Sequence, residues 1–219
     1  MRANLNLIEG DCMAGLKGMG DNAFELAIAD VPYGIGEHGG KYSRNRFACN
    51  CYENKEWDTC APDSAYFDEL RRVSRNQIIW GANHFIDNLP FNCSTPCWII
   101  WDKENGDCDF ADCELAWTSF NTATRLFRFR WAGMLQGDMK NKEKRIHPTQ
   151  KPVALYKWLL ANYAKEGDTI LDTHLGSMSI AVACWDMGFD LTGYELDHDY
   201  YTAGVERVEK HKSQGQFEF

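Results

Sequence analysis

The sequence has no apolar run that approaches the roughly 20 residues needed to span a membrane as a helix. Its first residues, MRANLNLIEGD, lack the basic start and apolar stretch of a signal peptide. Internal repeats and low-complexity tracts are also absent. A composition that is 44% hydrophobic and 13% aromatic excludes a disordered chain. We therefore expect a single domain over residues 1–219, located in the cytoplasm and not attached to a membrane.

No C-x-x-C pair occurs among the nine cysteines, whose odd number and spacings do not suggest a secreted disulfide framework. Cys93 and Cys97 stand four apart, and Cys108 and Cys113 stand five apart. A zinc site built from these two pairs is one interpretation. Reduced thiols that pack as small hydrophobic side chains are the other. The loose spacing favours thiols, and we predict no metal site.

The net charge of −9 is low for a protein that binds nucleic acid, because phosphate contacts are usually basic. The basic residues are nevertheless concentrated. Between Arg125 and Lys151, eight Lys or Arg stand against two acidic residues, and Lys41, Arg44 and Arg46 form a second basic group. A basic strip on an acidic body is compatible with one DNA-facing side, and a solvated charged loop is the alternative interpretation.

Short apolar segments alternate with amphipathic ones, which favours a doubly wound α/β sheet. The segment 24–29 (FELAIA) is typical of a buried parallel strand, and 151–165 has the clearest helical periodicity. The other predicted strands are 5–9, 77–80, 98–101, 114–120, 126–131, 169–172 and 190–194, and the other predicted helices are 12–19, 62–74, 177–187 and 198–211. Ligands in such folds bind outside the carboxyl ends of the strands, so the residues that follow each strand form the candidate site.

Three strand ends carry residues suited to chemistry. The tetrapeptide DVPY at 30–33 offers a carboxylate and a peptide oxygen that can accept bonds from an amino group, and an aromatic ring for stacking. Residues 170–179 turn from a strand onto a helix through a Gly-Ser pair, where backbone N–H groups can approach a ligand. Glu195 ends the next strand, where an acidic residue can bind ribose hydroxyls. Each feature alone also suits an ordinary turn, but three on consecutive strand ends favour a nucleoside site.

These motifs resemble those of the DNA amino-methyltransferases, in the circularly permuted class whose catalytic tetrapeptide precedes the cofactor motifs. The resemblance covers nearly the whole chain, from Leu5 to about Lys212. The stretch 147–152 (HPTQKP) matches a family motif in full and is the most specific signal. DVPY resembles the catalytic D-P-P-Y, residues 172–179 resemble the cofactor loop D-P-F-x-G-S-G-T, and Gly10-Asp11 matches an early G-D. The segments WGANHF, WDKENG and AWTSF resemble those of phage or prophage members.

The resemblance implies a Rossmann-like, seven-stranded methyltransferase sheet with permuted motif order and S-adenosyl-L-methionine as cofactor. It implies methyl transfer to the N6 atom of an adenine flipped out of double-stranded DNA, in a bacterial or phage-infected cell. The implied catalytic residues are Asp30, Val31, Pro32 and Tyr33. The implied cofactor-binding residues are Asp11, Thr149, Gln150, Lys151, Asp172, His174, Gly176, Ser177 and Glu195.

Most of the chain between Tyr33 and His147 is needed for strands and helices, so a large separate recognition domain does not fit. We predict instead a small recognition region built from the loops 36–60 and 133–146. Six basic residues of these loops are predicted to contact DNA, mostly at phosphates: Arg44, Arg46, Lys140, Lys142, Lys144 and Arg145. A region this small implies a short target site, or a homodimer that shares the recognition.

Three residues depart from the family pattern. Val31 replaces the first proline of the tetrapeptide, His174 replaces the phenylalanine of the cofactor loop, and Met178 replaces its second glycine. These departures leave open a catalytically impaired relative that binds DNA or cofactor without turnover. Methylation of cytosine N4 is a second alternative, although the cytosine enzymes of the family tend to carry serine where Asp30 stands. An RNA or small-molecule methyltransferase is the third.

Overall fold

The computed structural model describes residues 3–36, 58–89, 93–106, 111–132 and 135–214. Its strands are β1 (Leu5–Glu9), β2 (Phe24–Ala29), β3 (Ser74–Trp80), β4 (Trp98–Asp102), β5 (Cys113–Thr118), β6 (Arg125–Arg128), β7 (Trp131–Ala132), β8 (Leu135–Gln136), β9 (Thr169–Asp172) and β10 (Asp190–Glu195). Its helices are α1 (Cys12–Leu16), α2 (Ser64–Val73), α3 (Val153–Tyr163), α4 (Ser179–Met187) and α5 (His198–Gln214).

Eight strands form one sheet in the order β1-β10-β9-β2-β3-β5-β4-β6, and β7 pairs with β8 in a separate ribbon. The pairs from β1 to β3 are all parallel, so these five strands end along one edge of the sheet. Strand β5 runs antiparallel to both of its neighbours. Its first residues therefore lie at the edge where the parallel strands end, together with the last residues of β4.

Helices cover both faces of the sheet because successive side chains of each strand point to opposite sides. In β2, Leu26 and Ile28 pack into a core with side chains of α3, α4 and α5, whereas Ala27 and Ala29 pack into a second core with side chains of α1 and α2. Both faces are apolar, which explains the unbroken FELAIA run. The result is a three-layer α/β/α arrangement.

The predicted Rossmann-like α/β fold is confirmed, with several local differences. The sheet has eight strands rather than seven, because β6 adds in parallel to β4 at the edge. The predicted strand 126–131 is divided: the chain leaves the β4 ladder after Arg128 and pairs again in the β7–β8 ribbon. The predicted helix 12–19 ends at Leu16, just before Gly18 and Gly20, which favour turns.

In the described part of the chain, no helix is long and apolar enough to cross a membrane. Within the same residues, no group of three or more His, Cys, Asp or Glu side chains is placed to hold a metal ion. The six described cysteines form no disulfide, and Cys97 and Cys184 are buried as small apolar side chains. Cys108, which belongs to one of the pairs considered for zinc, lies outside the described residues.

Candidate active site

The Asp30 carboxylate lies directly after β2, at the edge where the parallel strands end. The Val31 side chain is buried in the core between the sheet and helices α1 and α2, so it anchors the turn while the Asp30 side chain stays 17% exposed. Asp30 Oδ1 accepts bonds from the Tyr33 hydroxyl at 3.0 Å and from Lys151 Nζ at 2.6 Å. From the described residues Oδ2 accepts no bond. One oxygen of the carboxylate is therefore fixed by the protein, and the other is available to a ligand.

Tyr33 is held in place by the loop after β3. The His84 ring stacks on the Tyr33 ring, with centroids 5.3 Å apart and planes inclined by 16°. Gly81 adopts a φ of +71°, and a Cβ at this residue would lie 2.1 Å from a carbon of the Tyr33 ring. Tyr33 and His84 line a cavity of about 470 Å³ together with Asn83, Phe85 and other residues. A stacked base must use the part of Tyr33 that His84 and Gly81 leave open.

We expect the Gly81→Ala variant to lose both stability and activity. Alanine at this position would be strained by the positive φ and would also push Tyr33 aside. Gly167→Ala is the control: its φ of +88° is equally unfavourable for alanine, but nothing lies within 4 Å of the added Cβ. Backbone strain of about 1–2 kcal/mol should lower the free energy of unfolding of both variants. Displacement of Tyr33 should lower the rate of the reaction at this site by about 10- to 100-fold in Gly81→Ala alone.

Denaturant unfolding and single-turnover kinetics of the two variants measure these effects. Equal activity in Gly81→Ala and Gly167→Ala would show that the packing of Tyr33 on Gly81 does not matter for catalysis.

The Lys151 ammonium bridges two carboxylates in a buried cluster. Besides its bond to Asp30, Lys151 Nζ lies 2.9 Å from Glu114 Oε2, and the Lys151 side chain is 2% exposed. Lys103 Nζ lies 2.5 Å from the other oxygen of Glu114. The Tyr33 hydroxyl also donates to Glu114, at 3.3 Å. Two ammonium groups and two carboxylates therefore balance each other beside the tetrapeptide.

Burial and neighbouring charges act in opposite directions on the pKa values of this cluster. Burial raises the pKa of Asp30, Lys151 lowers it, and Glu114 raises it further; the net direction is upward. Burial also raises the pKa of Glu114, but Lys151 and Lys103 outweigh burial and bring it to about 2. Burial alone would lower the pKa of Lys151, but the two carboxylates raise it. Glu114 is therefore the firmly ionised partner of Lys151, and Asp30 is the more easily protonated one.

The cofactor loop 172–179 follows β9, the strand adjacent to β2. Asp172 is 1% exposed, and burial, aided by Asp30 and Glu195, raises its pKa to about 8 although the His174 N–H donates to Oδ1 at 2.9 Å. Burial lowers the pKa of His174 to about 4, so its ring is neutral at pH 7. The His174 ring meets the edge of Tyr66, as the family's phenylalanine could. Its Nδ1 bonds the Thr173 hydroxyl at 3.0 Å.

Met178 occupies a backbone conformation that normally favours glycine. Its φ is +57°, which explains why the family pattern has glycine at this position. The Met178 side chain is fully buried and packs against Gly204 of α5, where a Cβ would lie 2.7 Å from a Met178 carbon. The side chain therefore points into the core, and the missing Cβ of Gly204 makes room for it.

Glu195 lies at the end of β10 between two glycine turns. Its Oε2 accepts the Gly176 N–H at 2.7 Å, its Oε1 accepts the Asp197 N–H at 2.9 Å, and its carbonyl accepts the Gly10 N–H at 2.8 Å. A Cβ on Gly10 would meet nothing within 4 Å, and one on Gly176 nothing nearer than 3.9 Å. An acceptor carboxylate flanked by open glycine backbone fits an adenosyl group and its ribose hydroxyls.

The HPTQKP stretch connects this turn to the Asp30 cluster. The His147 ring lies beside Gly176 and meets Tyr200 edge-on, with centroids 4.3 Å apart. Thr149 is exposed, and its hydroxyl bonds His147 Nδ1 at 3.1 Å. Lys151 was predicted to bind cofactor, but its ammonium faces Asp30; its carbonyl accepts the Ser179 hydroxyl at the start of α4.

Gln150, the remaining predicted residue of this stretch, is buried and closes the loop that precedes it. Its side-chain oxygen accepts the Ile146 N–H at 2.9 Å, and its carbonyl accepts the Trp131 indole N–H at 2.7 Å. Ser177 is 6% exposed, with its hydroxyl 3.1 Å from that of Ser179. Asp11 is exposed and caps α1 through the Met13 N–H.

The predicted DNA-contacting residues are placed in different ways. Lys140, Lys142 and Lys144 are exposed. Arg145 is half-buried, and its guanidinium lies 4.5 Å above the centre of the Trp131 ring. Arg44 and Arg46 lie outside the described residues, as does most of the loop 36–60.

Sequence reasoning missed several residues that form the site: Glu114, Lys103, His84, Gly81 and Arg207. Arg207 of α5 donates to the Ser177 carbonyl at 2.6 Å and pairs with Glu143 Oε2 at 2.6 Å. Glu143 Oε1 in turn accepts the Val153 N–H at the start of α3. Arg207 thus joins the cofactor loop to the loop 133–146. A charge at the end or start of a predicted strand is the one signal that could have drawn attention to Lys103 and Glu114.

Two related sequences are type II methyltransferases. M.HpaI from Haemophilus parainfluenzae is 33% identical over 69 residues, which are 32% of this chain and 22% of that protein. M2.MboI from Moraxella bovis is 22% identical over an alignment of 240 residues that covers 93% of this chain and 83% of that protein. The alignment with this chain therefore spans about a fifth of the length of M.HpaI and most of the length of M2.MboI.

Two solved structures share the fold. The M1.HpyAVI–SAM complex superposes with a TM-score of 0.58 at 16% identity, covering 93% of this chain and 98% of that one. The PvuII DNA methyltransferase, described as cytosine-N4-specific, has a TM-score of 0.60 at 12% identity, covering 97% and 92%. At this level of identity the likeness concerns the fold alone.

The model of the N6_N4_Mtase family, described as DNA methylase, matches residues 94–206. This range contains Glu114, the HPTQKP stretch, the cofactor loop and Glu195, whereas Asp30 lies before it. The match covers more than half of the chain. The chain belongs to the N6_N4_Mtase family of DNA methylases, and its cofactor is S-adenosyl-L-methionine.

Proposed function

We propose that the protein transfers a methyl group from S-adenosyl-L-methionine to the N6 amino group of an adenine in double-stranded DNA. One observation carries this proposal: the Asp30 carboxylate, with one oxygen available, lies on the strand end next to the cofactor loop. The two sites are close enough for the charge of Asp30 to help raise the pKa of Asp172. An amino group bound at Asp30 would therefore lie at the same edge of the sheet as a ligand bound at Glu195.

When bound, the cofactor supplies an electrophilic methyl group on a sulfonium centre. The residues of the tetrapeptide have to present a poor nucleophile, because the lone pair of adenine N6 is delocalised into the ring. Bonds from its two N–H groups to Asp30 and to the Val31 carbonyl would favour a pyramidal nitrogen with an exposed lone pair. Tyr33 would support the ring of a flipped base.

Positioning and charge then supply the rate enhancement. Val31, buried in the core, and Tyr33, packed on Gly81, hold the tetrapeptide rigidly, which favours a fixed approach of N6. Positive charge would develop on N6 during the reaction, and the ionised Asp30 beside it, whose side chain is 17% exposed, would stabilise this charge.

Adenine is preferred over cytosine because position 30 carries aspartate rather than the serine that the cytosine enzymes of the family tend to have. The fold does not separate the two substrates, since the PvuII enzyme, described as cytosine-N4-specific, has the same architecture. The nucleoside product decides between them.

Incubation of mixed-sequence DNA with the protein and labelled S-adenosyl-L-methionine, followed by digestion to nucleosides and mass spectrometry, tests the proposal. We expect N6-methyl-2′-deoxyadenosine as the product. We also expect DNA to be methylated in preference to RNA. Recovery of N4-methyl-2′-deoxycytidine instead would identify cytosine as the substrate. Retained cofactor binding without any methylated nucleoside would instead identify a catalytically impaired relative.

DNA is proposed to contact the loop that carries Lys140, Lys142 and Lys144, whose ammonium groups are exposed. The names of the two relatives support a role as the modification enzyme of a restriction–modification system. A homodimer, a phage or prophage origin and a location in the cytoplasm of a bacterial or phage-infected cell stay predictions.

A further inference from the structure

Lys151 forms an ion pair with the Asp30 carboxylate, to which the substrate is proposed to bind. Its ammonium lies 2.6 Å from Asp30 Oδ1, closer than the Tyr33 hydroxyl at 3.0 Å. A cation at this distance competes for the negative charge of Asp30 and weakens it as an acceptor for an amino group. A base bound at Asp30 therefore has to share the carboxylate with Lys151 or displace it.

Complete withdrawal of Lys151 from all negative charge would be costly. The side chain is 2% exposed and lies 5.3 Å from the centre of the Trp80 ring and 5.6 Å from that of Tyr33. An ammonium group in such surroundings needs a carboxylate partner, because water cannot solvate it there. Glu114 is that partner, at 2.9 Å, and it stays in reach when Asp30 turns toward a ligand.

The strand directions explain why Glu114 is available. Because β5 is antiparallel to β3, the beginning of β5 lies at the edge where β2 and β3 end. Lys103 follows β4 at the same edge and holds the second oxygen of Glu114. Glu114 is thereby fixed by a cation of its own, and its remaining oxygen faces Lys151.

We propose that Glu114 is a positioning residue for catalysis, which holds Lys151 as a counter-ion shared with Asp30 and retains it when Asp30 binds the amino group of the base. The inference rests on the proposed function of Asp30. No bond is made or broken in this exchange: Lys151 keeps its proton and changes the carboxylate with which it is mainly paired. Lys151 thus favours the ionised form of Asp30 in the free protein, and Glu114 lets Asp30 change its partner when the substrate arrives.

The Glu114→Gln and Lys151→Met variants should shift the pKa of Asp30 in opposite directions. Loss of the Lys151 charge removes the cation that lowers the Asp30 pKa, so the acid limb of the rate profile should move to higher pH. Loss of the Glu114 charge removes an anion that raises it, so the limb should move to lower pH. The other titratable groups that face Asp30 or its partners are Tyr33, Lys103, Asp172 and Tyr156.

At neutral pH we expect Glu114→Gln to lower the single-turnover rate by about tenfold, because Lys151 is then paired with Asp30 alone. The Kd for cofactor should not change, since Glu114 does not contact the Glu195 turn. Glu104→Gln is the matched control: it removes a carboxylate from the same loop as Lys103, but its side chain is exposed. This control should have the pH profile and rate of the unsubstituted protein.

The pKa of Asp30 is also measured directly, by ¹³C NMR of the labelled carboxyl group in each folded variant. Opposite displacements of this pKa in Glu114→Gln and Lys151→Met, with none in Glu104→Gln, are the expected result. An Asp30 pKa that is the same in all of them, or an unchanged rate in Glu114→Gln, overturns the inference. If the unsubstituted protein methylates nothing, the proposed function fails, and the NMR titration still decides whether the charges are shared.

Discussion

The Asp30→Ala substitution is expected to lower the rate of methyl transfer by about 100- to 1000-fold or more. The Kd for S-adenosyl-L-methionine should change by less than about twofold. In the proposed mechanism the carboxylate supplies the acceptor for the amino group and the negative charge beside the reacting nitrogen, and no neighbouring group in the described structure can replace it. Glu114 shares Lys151 with Asp30, but both oxygens of Glu114 already pair with lysines. The turn that carries Glu195, where the adenosyl group is proposed to bind, has its own contacts and should remain intact.

The fold should tolerate this substitution. Lys151 keeps its ion pair with Glu114 at 2.9 Å, so no unpaired charge is left in the core. Burial raises the pKa of Asp30, which means that the ionised carboxylate does not stabilise the folded state. We therefore expect the Tm to fall by no more than a few degrees, and Asp30→Asn to behave like Asp30→Ala in the rate.

Single-turnover methylation of DNA and isothermal titration calorimetry with the cofactor measure the two quantities separately. The exposed Glu166→Gln variant serves as the control for loss of one carboxylate, and it should retain both activities. Near-normal methylation by Asp30→Ala would remove Asp30 from the mechanism.

Replacement of Glu195 should have the reverse pattern, with its main effect on cofactor binding. We expect Glu195→Ala to raise the Kd for S-adenosyl-L-methionine by about 10- to 100-fold, the effect of losing hydrogen bonds to a charged acceptor. Each Glu195 oxygen already accepts one backbone N–H, from Gly176 or Asp197, and has a further lone pair for a ribose hydroxyl. The substitution therefore removes contacts to the ligand and also loosens the turn that carries Gly176.

Glu195→Gln separates these two contributions. The glutamine keeps the shape of the side chain, but its NH₂ group cannot accept the backbone N–H that the lost oxygen bound. A Kd between those of the unsubstituted protein and of Glu195→Ala is expected, with Glu166→Gln unchanged. Calorimetry on the three variants makes the comparison, and an unchanged Kd in Glu195→Ala would exclude a role in ribose binding.

The affinity should also depend on pH through this group. Burial raises the pKa of Glu195, so protonation begins at a higher pH than for an ordinary glutamate. A protonated carboxyl is a weaker acceptor for two hydroxyls. Cofactor binding should therefore weaken as the pH falls through this raised pKa, and the dependence should disappear in Glu195→Ala.

Features that depend on neighbours in the chain were predicted well. The run FELAIA, the periodicity of α3 and the Gly-Ser turn before α4 reflect local alternation and local backbone preferences. The residues at 30, 172 and 195 were correctly expected at strand ends, and the structure places these three strands next to each other in the sheet. The departures at 174 and 178 were harder to interpret, since their environment is not local. His174 packs against Tyr66, and Met178 packs against Gly204.

By itself the sequence determined the fold class, the order of the strands and helices, and the family motifs, since these follow from short-range patterns. The tertiary structure alone decided that Lys151 turns toward Asp30 and that Glu114 joins them. Strand β5 could lie parallel or antiparallel to β3 with the same pattern of apolar residues, and its direction decides whether Glu114 or Thr118 lies at the edge where β2 ends. Pairing between strands is set by contacts between distant parts of the chain, and the charge balance around Asp30 depends on that pairing.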